Sequence, residues 1–284
     1  MENLKNVMVV GAGQMGSGIA QVCAQAGFQV YLFDANKEAL NNGIERIEKL
    51  LSRSVEKQRL TNKDKEDTLN RLIRATSIKD AASCDVVIEA VVENIEVKTK
   101  IFSELATLTP NDTILATNTS SLSITEIAAT TNRPERVIGM HFMNPVPVMK
   151  LVEVIRGLQT SEETFNTIQT MAKKLNKTSV EVNDFPGFVA NRILMPMINE
   201  AIYTVYEGVS SIEDVDTVMK LGANHPMGPL TLADFIGLDT CLYIMEVLYD
   251  GFGDSKYRPC PLLRQYVQAG WLGKKTGRGF YTYE

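Results

Sequence analysis

The sequence predicts an α/β domain over residues 1–184 followed by an all-α domain over residues 185–284. Three observations carry this expectation. Short apolar runs alternate with helical periodicity through the first half. A glycine-rich turn, Gly11-Ala12-Gly13-Gln14-Met15-Gly16, joins the first apolar run to the first helix. After the break Asn183-Asp184-Phe185-Pro186-Gly187, almost everything has helical spacing. A chain of 284 residues is long enough for two domains.

Bulk properties narrow the functional class. Hydrophobic residues at 44% and charged residues at 22% match an ordinary soluble globular protein. A formal charge of −5 argues against a nucleic-acid partner. No apolar run approaches the ~20 residues of a membrane span, so no membrane partner is expected. Met1-Glu2-Asn3-Leu4-Lys5 leads straight into a strand-like run, so no signal or transit peptide is expected. Cys23, Cys84, Cys241 and Cys260 are widely spaced, with no C-x-x-C and no histidine at ligand spacing. They read as reduced thiols rather than a disulfide framework or zinc site, which predicts a cytoplasmic protein.

Val7 to Val10 is a short continuous apolar run, as a buried parallel strand requires. In the glycine turn that follows, Gly11 allows the tight bend, Gly13 lets the backbone approach a pyrophosphate, and Gly16 lets helix and strand pack closely. Gln14 and Met15 open the helix, whose N-terminal N–H groups and dipole face the phosphates. Ile19, Ala20, Val22, Cys23 and Ala26 give the helical face, and Gly27 the stop. The second strand, Gln29 to Phe33, ends in Asp34, 18 residues after Gly16. Strand, Gly-x-Gly-x-x-Gly, helix, strand and acid in this order predict a Rossmann-like dinucleotide site. Asp34 accepts hydrogen bonds from an adenosine ribose in this reading and repels a 2′-phosphate. Ala35, Asn36 and Lys37 follow it without an arginine, so NAD is favoured over NADP. The alternative for Asp34 is a turn or helix-cap residue.

An inserted helical region runs from Lys37 to Ile73. Lys49, Arg53 and Lys57 recur every four residues and share one helix face. They are either a solvated surface or a phosphate-binding stripe. Asp85 to Val92 is a β-branched run ending near Glu93, Lys98 to Leu108 reads as a helix, and Thr113 to Thr117 as a strand. Ligands bind outside the carboxyl ends of such strands. That places Ala90, Glu93, Asn118 and Ser120 on the cofactor side. Glu93 equally suits a helix start, and Asn118 to Ser121 equally suit a cap for a helix beginning near Ser123.

His141 is one of two histidines. Val137 to Met140 and Leu151 to Ile155 are strand-like, and Asn144, Pro145 and Pro147 break the chain between them. If the two strands pair about 5 Å apart, Glu153 reaches the His141 ring. A carboxylate behind an imidazole fixes its tautomer and strengthens it as a base. The alternative is a core histidine beside an unrelated acid. Ser120 has no histidine at hydrolase spacing and is not read as a nucleophile.

Thr178 to Val182 reads as the last strand. Beyond it, Phe188 to Tyr206 is a long helix with Asn191 in its first turn and Pro196 inside it. Ser211-Ile212-Glu213-Asp214 resembles a capping box, opening a helix that Gly222 stops. His225 sits among prolines in a structural turn, and Thr231 is positioned to cap the next helix. The basic, glycine-rich tail from Gly270 to Tyr281 either returns a cation to the site or packs as an arm. Ile236, Leu242 and Met245 are expected on an apolar surface for homodimer formation.

These pieces resemble the short-chain L-3-hydroxyacyl-CoA dehydrogenase family, and within it the bacterial 3-hydroxybutyryl-CoA dehydrogenases. The matching runs are V-G-A-G-Q-M-G-S-G-I-A, N-T-S-S-L-S-I-T, H-F-M-N-P-V-P-V-M-K-L-V-E-V, D-F-P-G-F-V-A-N-R, H-P-M-G-P-L and G-K-K-T-G-R-G-F-Y. They span nearly the whole chain, and the third and fourth together are specific. The resemblance implies reversible NAD-dependent oxidation of (S)-3-hydroxyacyl-CoA, an acyl-CoA substrate, and a place in fatty-acid and butanoate metabolism. It implies His141 as acid/base, Glu153 as its partner, and Ser120 and Asn191 as holders of the substrate oxygens. It implies Asp34, Glu93, Lys98, Asn118, Ser120, Asn144 and Lys275 around NAD. It places CoA contacts in the inserted helical hairpin, which favours the binding reading of Lys49, Arg53 and Lys57. Two other functions stay open: a same-fold dehydrogenase of a free hydroxy or sugar acid, and a non-catalytic, crystallin-like NAD-binding protein.

Overall fold

A computed structural model describes residues 4–283. The stretch Met1-Glu2-Asn3, read above for a leader, lies outside them. The chain divides into two compact units, Met1–Asp184 and Phe185–Glu284.

The first unit is built on one eight-stranded sheet. In chain order its elements are β1 (Asn6–Val10), α1 (Gln14–Gln25), β2 (Gln29–Phe33), α2 (Lys37–Glu56), α3 (Asn62–Asn70) and β3 (Leu72–Arg74). There follow β4 (Val86–Glu89), α4 (Ile95–Leu108), β5 (Ile114–Thr117), α5 (Ile124–Ala128), β6 (Val137–Phe142), β7 (Leu151–Arg156), α6 (Glu162–Lys174) and β8 (Thr178–Asn183). The strand order is β3-β2-β1-β4-β5-β6-β7-β8. Neighbours pair in parallel except β6 and β7, which are antiparallel. The order therefore reverses between β1 and β4, the switch point at which open α/β sheets bind ligands. The α/β Rossmann-like reading holds, as does the inserted helical hairpin, which is α2 and α3.

The central strands are buried on both faces, so they are written in unbroken apolar residues; Val7, Val9, Val86, Ile88, Leu115 and Ile138 are all fully buried. In α2, Leu40, Gly43, Ile47 and Leu51 form the buried stripe. Asn36 caps this helix by accepting the Glu38 and Ala39 N–H groups. A Thr61–Asp64 capping box opens α3.

The structure corrects several sequence expectations. The region 37–73 is not helical to its end, because Leu72–Arg74 forms strand β3 against β2. The helix expected from Lys98 starts at Ile95, capped by Asn94. Lys57 stands just beyond α2, at its C-cap, so only Lys49 and Arg53 of the basic stripe lie on the helix itself. Helix α6 was not foreseen.

The second unit is all-α: α7 (Ala190–Tyr206), α8 (Ile212–Gly222), α9 (Pro229–Ile236), α10 (Leu238–Phe252) and α11 (Pro261–Gln268). Helix α7 packs against the other four, and its buried residues Met195, Ile198 and Ile202 share a core with Leu230, Leu238, Met245 and Leu263. Met245 is thus a core residue, contrary to its expected place on a docking face; Ile236 and Leu242 are half-buried. Thr231 does not cap α9. The helix starts at Pro229, and the buried Asp216 carboxylate accepts the Leu230 and Thr231 N–H groups and the Thr231 hydroxyl. Within its own unit the tail is held by Asp234, which accepts the Phe280 and Tyr281 N–H groups and the Tyr283 hydroxyl.

Candidate active site

The glycine turn leaves the end of β1 at the switch point. Gly11 has φ +105°, where a side chain is strained, and a Cβ built on it would lie 2.5 Å from the Ala90 carbonyl oxygen. A Cβ at Gly16 would lie 1.8 Å from the Gly11 carbonyl oxygen, so only glycine lets α1 close on the turn. Gly13, the exposed N-cap of α1, has open space where a side chain would be, and no side chain caps the helix. Gln14 beside it is exposed and Met15 half-buried. The N–H groups of this first turn are thus free to meet a diphosphate. Asp34 closes β2 beside it and accepts the Ala12 and Asn36 N–H groups, one on each oxygen. It does not cap α2, since Asn36 does that. Each Asp34 oxygen keeps acceptor capacity for a ribose hydroxyl. An open anion cradle and a ribose acceptor without a neighbouring arginine fit NAD.

At the carboxyl ends of β4 and β5 stands a buried polar cluster. Lys98 Nζ lies 2.7 Å from Glu89 Oε1 and 3.3 Å from Glu93 Oε2. Glu93 Oε1 accepts the Thr119 hydroxyl at 2.6 Å, the Ser120 N–H at 2.8 Å and the Ser120 and Ser121 hydroxyls. Burial alone would raise the Glu93 pKa. The Lys98 ammonium and the Thr119 and Ser120 donors outweigh it and hold the carboxyl below its usual range. Glu93 is therefore neither a helix-start acid nor a cap. The polar run Asn118 to Ser121 does not cap α5 either; Ser123 does so, by accepting the Glu126 N–H. Asp184 adds its carboxylate to the same helix end. Asn118 Oδ1 accepts the Phe142 N–H, tying the end of β5 to β6.

His141 and Glu153 face each other across the antiparallel pair β6–β7. Nδ1 lies 2.7 Å from Glu153 Oε2, with His141 8% and Glu153 2% exposed. The loop between them is anchored twice. Gln14 Nε2 donates to Asn144 Oδ1 at 2.9 Å, linking it to the glycine turn. The Lys177 ammonium donates to the Val146 and Met149 carbonyls from just before β8, and burial lowers its pKa.

The first unit thus carries Gly11, Gly13, Gly16, Asp34, Glu93, Lys98, Asn118, Ser120, His141, Asn144 and Glu153 on or beside the interior strands β1, β2 and β4 to β7. Lys49, Arg53 and Lys57 are exposed. In the second unit Asn191 is the second residue of α7, and Lys275 Nζ lies 2.6 Å from the Asp239 carboxylate. Sequence reasoning passed over Glu89 and Lys177. A lone acid inside the apolar run Val86–Ala90 was the available signal for Glu89; Lys177 gave none.

Two family profiles match the chain. The 3-hydroxyacyl-CoA dehydrogenase NAD-binding domain covers residues 6–185, and the C-terminal domain of the same family covers residues 187–283. A probable 3-hydroxybutyryl-CoA dehydrogenase of Bacillus subtilis is 65% identical over 281 residues, 99% of this chain and 98% of that protein. A 3-hydroxybutyryl-CoA dehydrogenase of Bradyrhizobium diazoefficiens is 57% identical, with 99% and 96% covered. The crystal structure of an (S)-3-hydroxybutyryl-CoA dehydrogenase from Ralstonia eutropha superposes with a TM-score of 0.97 at 51% identity, covering 99% of this chain and 100% of that one. With both units matched end to end, the chain belongs to the 3-hydroxyacyl-CoA dehydrogenase family of NAD-dependent oxidoreductases.

Proposed function

We propose that the protein reversibly oxidises (S)-3-hydroxybutyryl-CoA to acetoacetyl-CoA, with His141 as the proton carrier. The observation that carries this is the buried His141–Glu153 pair, on two strands joined by a loop that is hydrogen-bonded to the dinucleotide turn. NAD bound along Gly11, Gly13, Gln14, Met15, Gly16 and Asp34 supplies the acceptor for the hydride leaving substrate C3. Glu93, Lys98, Asn118, Ser120, Asn144 and Lys275 complete its surroundings in this reading. Glu153 engages Nδ1, so Nε2 is the nitrogen that exchanges the proton. In oxidation His141 takes the hydroxyl proton, and Glu153 stabilises the imidazolium as it forms. In reduction His141 returns the proton to the oxygen. Ser120 and Asn191 hold that oxygen and stabilise its developing charge.

Lys49, Arg53 and Lys57 are proposed to meet the phosphates of CoA, and exposed cations on long side chains suit that task. A homodimer through the second unit is supported by its exposed apolar side chains: Ile193, Val209, Val218 and Leu221 are 67%, 71%, 63% and 83% exposed. A cytoplasmic location accords with four buried, free thiols. Among the described residues no helix is long and apolar enough to cross a membrane.

An NADH-oxidation assay with acetoacetyl-CoA and with acetoacetate tests the substrate. Turnover of the thioester alone is expected. Equal turnover of the free acid points to a hydroxy-acid dehydrogenase, and turnover of neither to a non-catalytic NAD-binding protein.

A further inference from the structure

Glu89 takes no part in the proton transfer, yet its side chain is fully buried. It ends β4, opposite Val10 of β1 and Thr117 of β5. That is the crevice at the strand-order reversal. Burying a carboxylate is costly unless it is paired and hydrogen-bonded, and Glu89 is both. Oε1 meets Lys98 Nζ at 2.7 Å and accepts the Val91 N–H at 2.7 Å, while Oε2 accepts the Thr117 hydroxyl at 2.6 Å. Lys98 is buried as deeply and reaches on to Glu93, which gathers Thr119 and Ser120. Glu89 is the fixed end of this chain of contacts: its donors come from β5, from α4 and from its own strand end.

We propose that Glu89 is a positioning residue that holds and neutralises Lys98, and so sets the preference of the site for oxidised over reduced nicotinamide. The two cofactor forms differ by one charge: the oxidised ring is cationic and the reduced ring neutral. Asp34 at the end of β2 suits the adenosine ribose, which leaves the nicotinamide half to the β4–β5 side of the switch point. A buried ammonium there repels the cationic ring and is indifferent to the neutral one. Glu93 answers that charge in part from 3.3 Å, and Glu89, the nearer and fully buried carboxylate, tips the cluster to net negative. The inference rests on the NAD reading of the first unit and is independent of the acyl substrate.

Glu89→Gln keeps the side-chain shape and removes the charge. Binding of NAD⁺ and of NADH is measured by titration calorimetry, without acyl-CoA, so failure here is distinct from failure of the substrate assignment. The ratio Kd(NAD⁺)/Kd(NADH) should rise on the order of tenfold, the scale on which one unit charge acts in a partly buried site. Lys98→Met should move the ratio the opposite way, and the double variant should restore it, because contacts common to both cofactor forms cancel. If Glu89→Gln alone does not fold, comparing Lys98→Met with the double variant reads the same charge. An unchanged ratio in either comparison overturns the proposal and leaves Glu89 a structural residue.

Discussion

Glu153→Gln isolates what the carboxylate does for His141. The substitution is nearly isosteric at a site that is 2% exposed, so packing is preserved. The bond it alters is 2.7 Å long, and a hydrogen bond to a charged group contributes about 1.5–3 kcal/mol. At about 1.4 kcal/mol per tenfold, losing it from the transition state slows turnover roughly 10- to 150-fold. The amide adds a second effect. When its NH₂ donates to Nδ1, the ring proton must sit on Nε2, which then cannot accept the substrate proton. In a serine-protease triad that tautomer error costs about 10⁴. The expected result is therefore a fall in kcat of about 10²–10⁴ with the KM for the acyl-CoA nearly unchanged, the signature of an interaction made in the transition state. NADH oxidation by acetoacetyl-CoA gives both constants, and thermal unfolding in parallel shows whether the fold is intact. A folded variant that keeps wild-type kcat would refute the pairing as the basis of proton transfer.

Charge reversal at Lys49, Arg53 and Lys57 together should raise the KM for acetoacetyl-CoA about tenfold with kcat kept, and less at high salt, since each exposed charge contributes under ~1 kcal/mol; steady-state kinetics at two ionic strengths decide it. Gly16→Ala should destabilise by at least ~1–3 kcal/mol, because the clash is backbone against methyl and neither can rotate away; urea unfolding measures this, and NAD affinity should fall with it. Glu93 has a folded pKa below its ordinary value of 4.5, so its contribution to stability is complete above that value and is lost as pH falls through the depressed one. Wild type should therefore lose stability on acidification more steeply than Glu93→Gln, as followed by unfolding midpoints across the acidic range. Val218→Glu with Leu221→Glu, one turn apart on α8, should convert a dimer to monomer in sedimentation equilibrium while leaving the helical circular dichroism unchanged.

Legibility in the sequence followed the range of the interactions. The unit β1–turn–α1–β2 was readable because each constraint is local: apolar strands, glycines that backbone contacts demand, and an acid at the next strand end. The His141–Glu153 pairing was readable because a hairpin joins two strands over a short loop. Strand β3 was not, since three residues carry no period and only pairing with β2 makes them a strand. Helix α6 had its signals, a Ser161 cap with Glu162 and Glu163 after it and Lys173 and Lys174 at its end, but no apolar motif drew attention to them. Thr231 misled because the α9 cap comes from Asp216, on the preceding helix. Met245 misled because helical spacing alone does not say which face meets the core.

The single antiparallel pairing in the sheet, β6 with β7, has a further meaning for how this site can change. Side chains alternate along a strand, so the histidine and its carboxylate are matched by counting residues, not by the conformation of the loop between them. Apart from Asn144, which anchors the loop to the glycine turn, and the buried Val146, residues 143–150 can be substituted, or lengthened at a bend, while the ladder preserves the pair. One residue added within either strand instead turns His141 and Glu153 to opposite faces. The chemistry is thus governed by parity, and the adjoining loop is left as the part in which ligand preference can diverge.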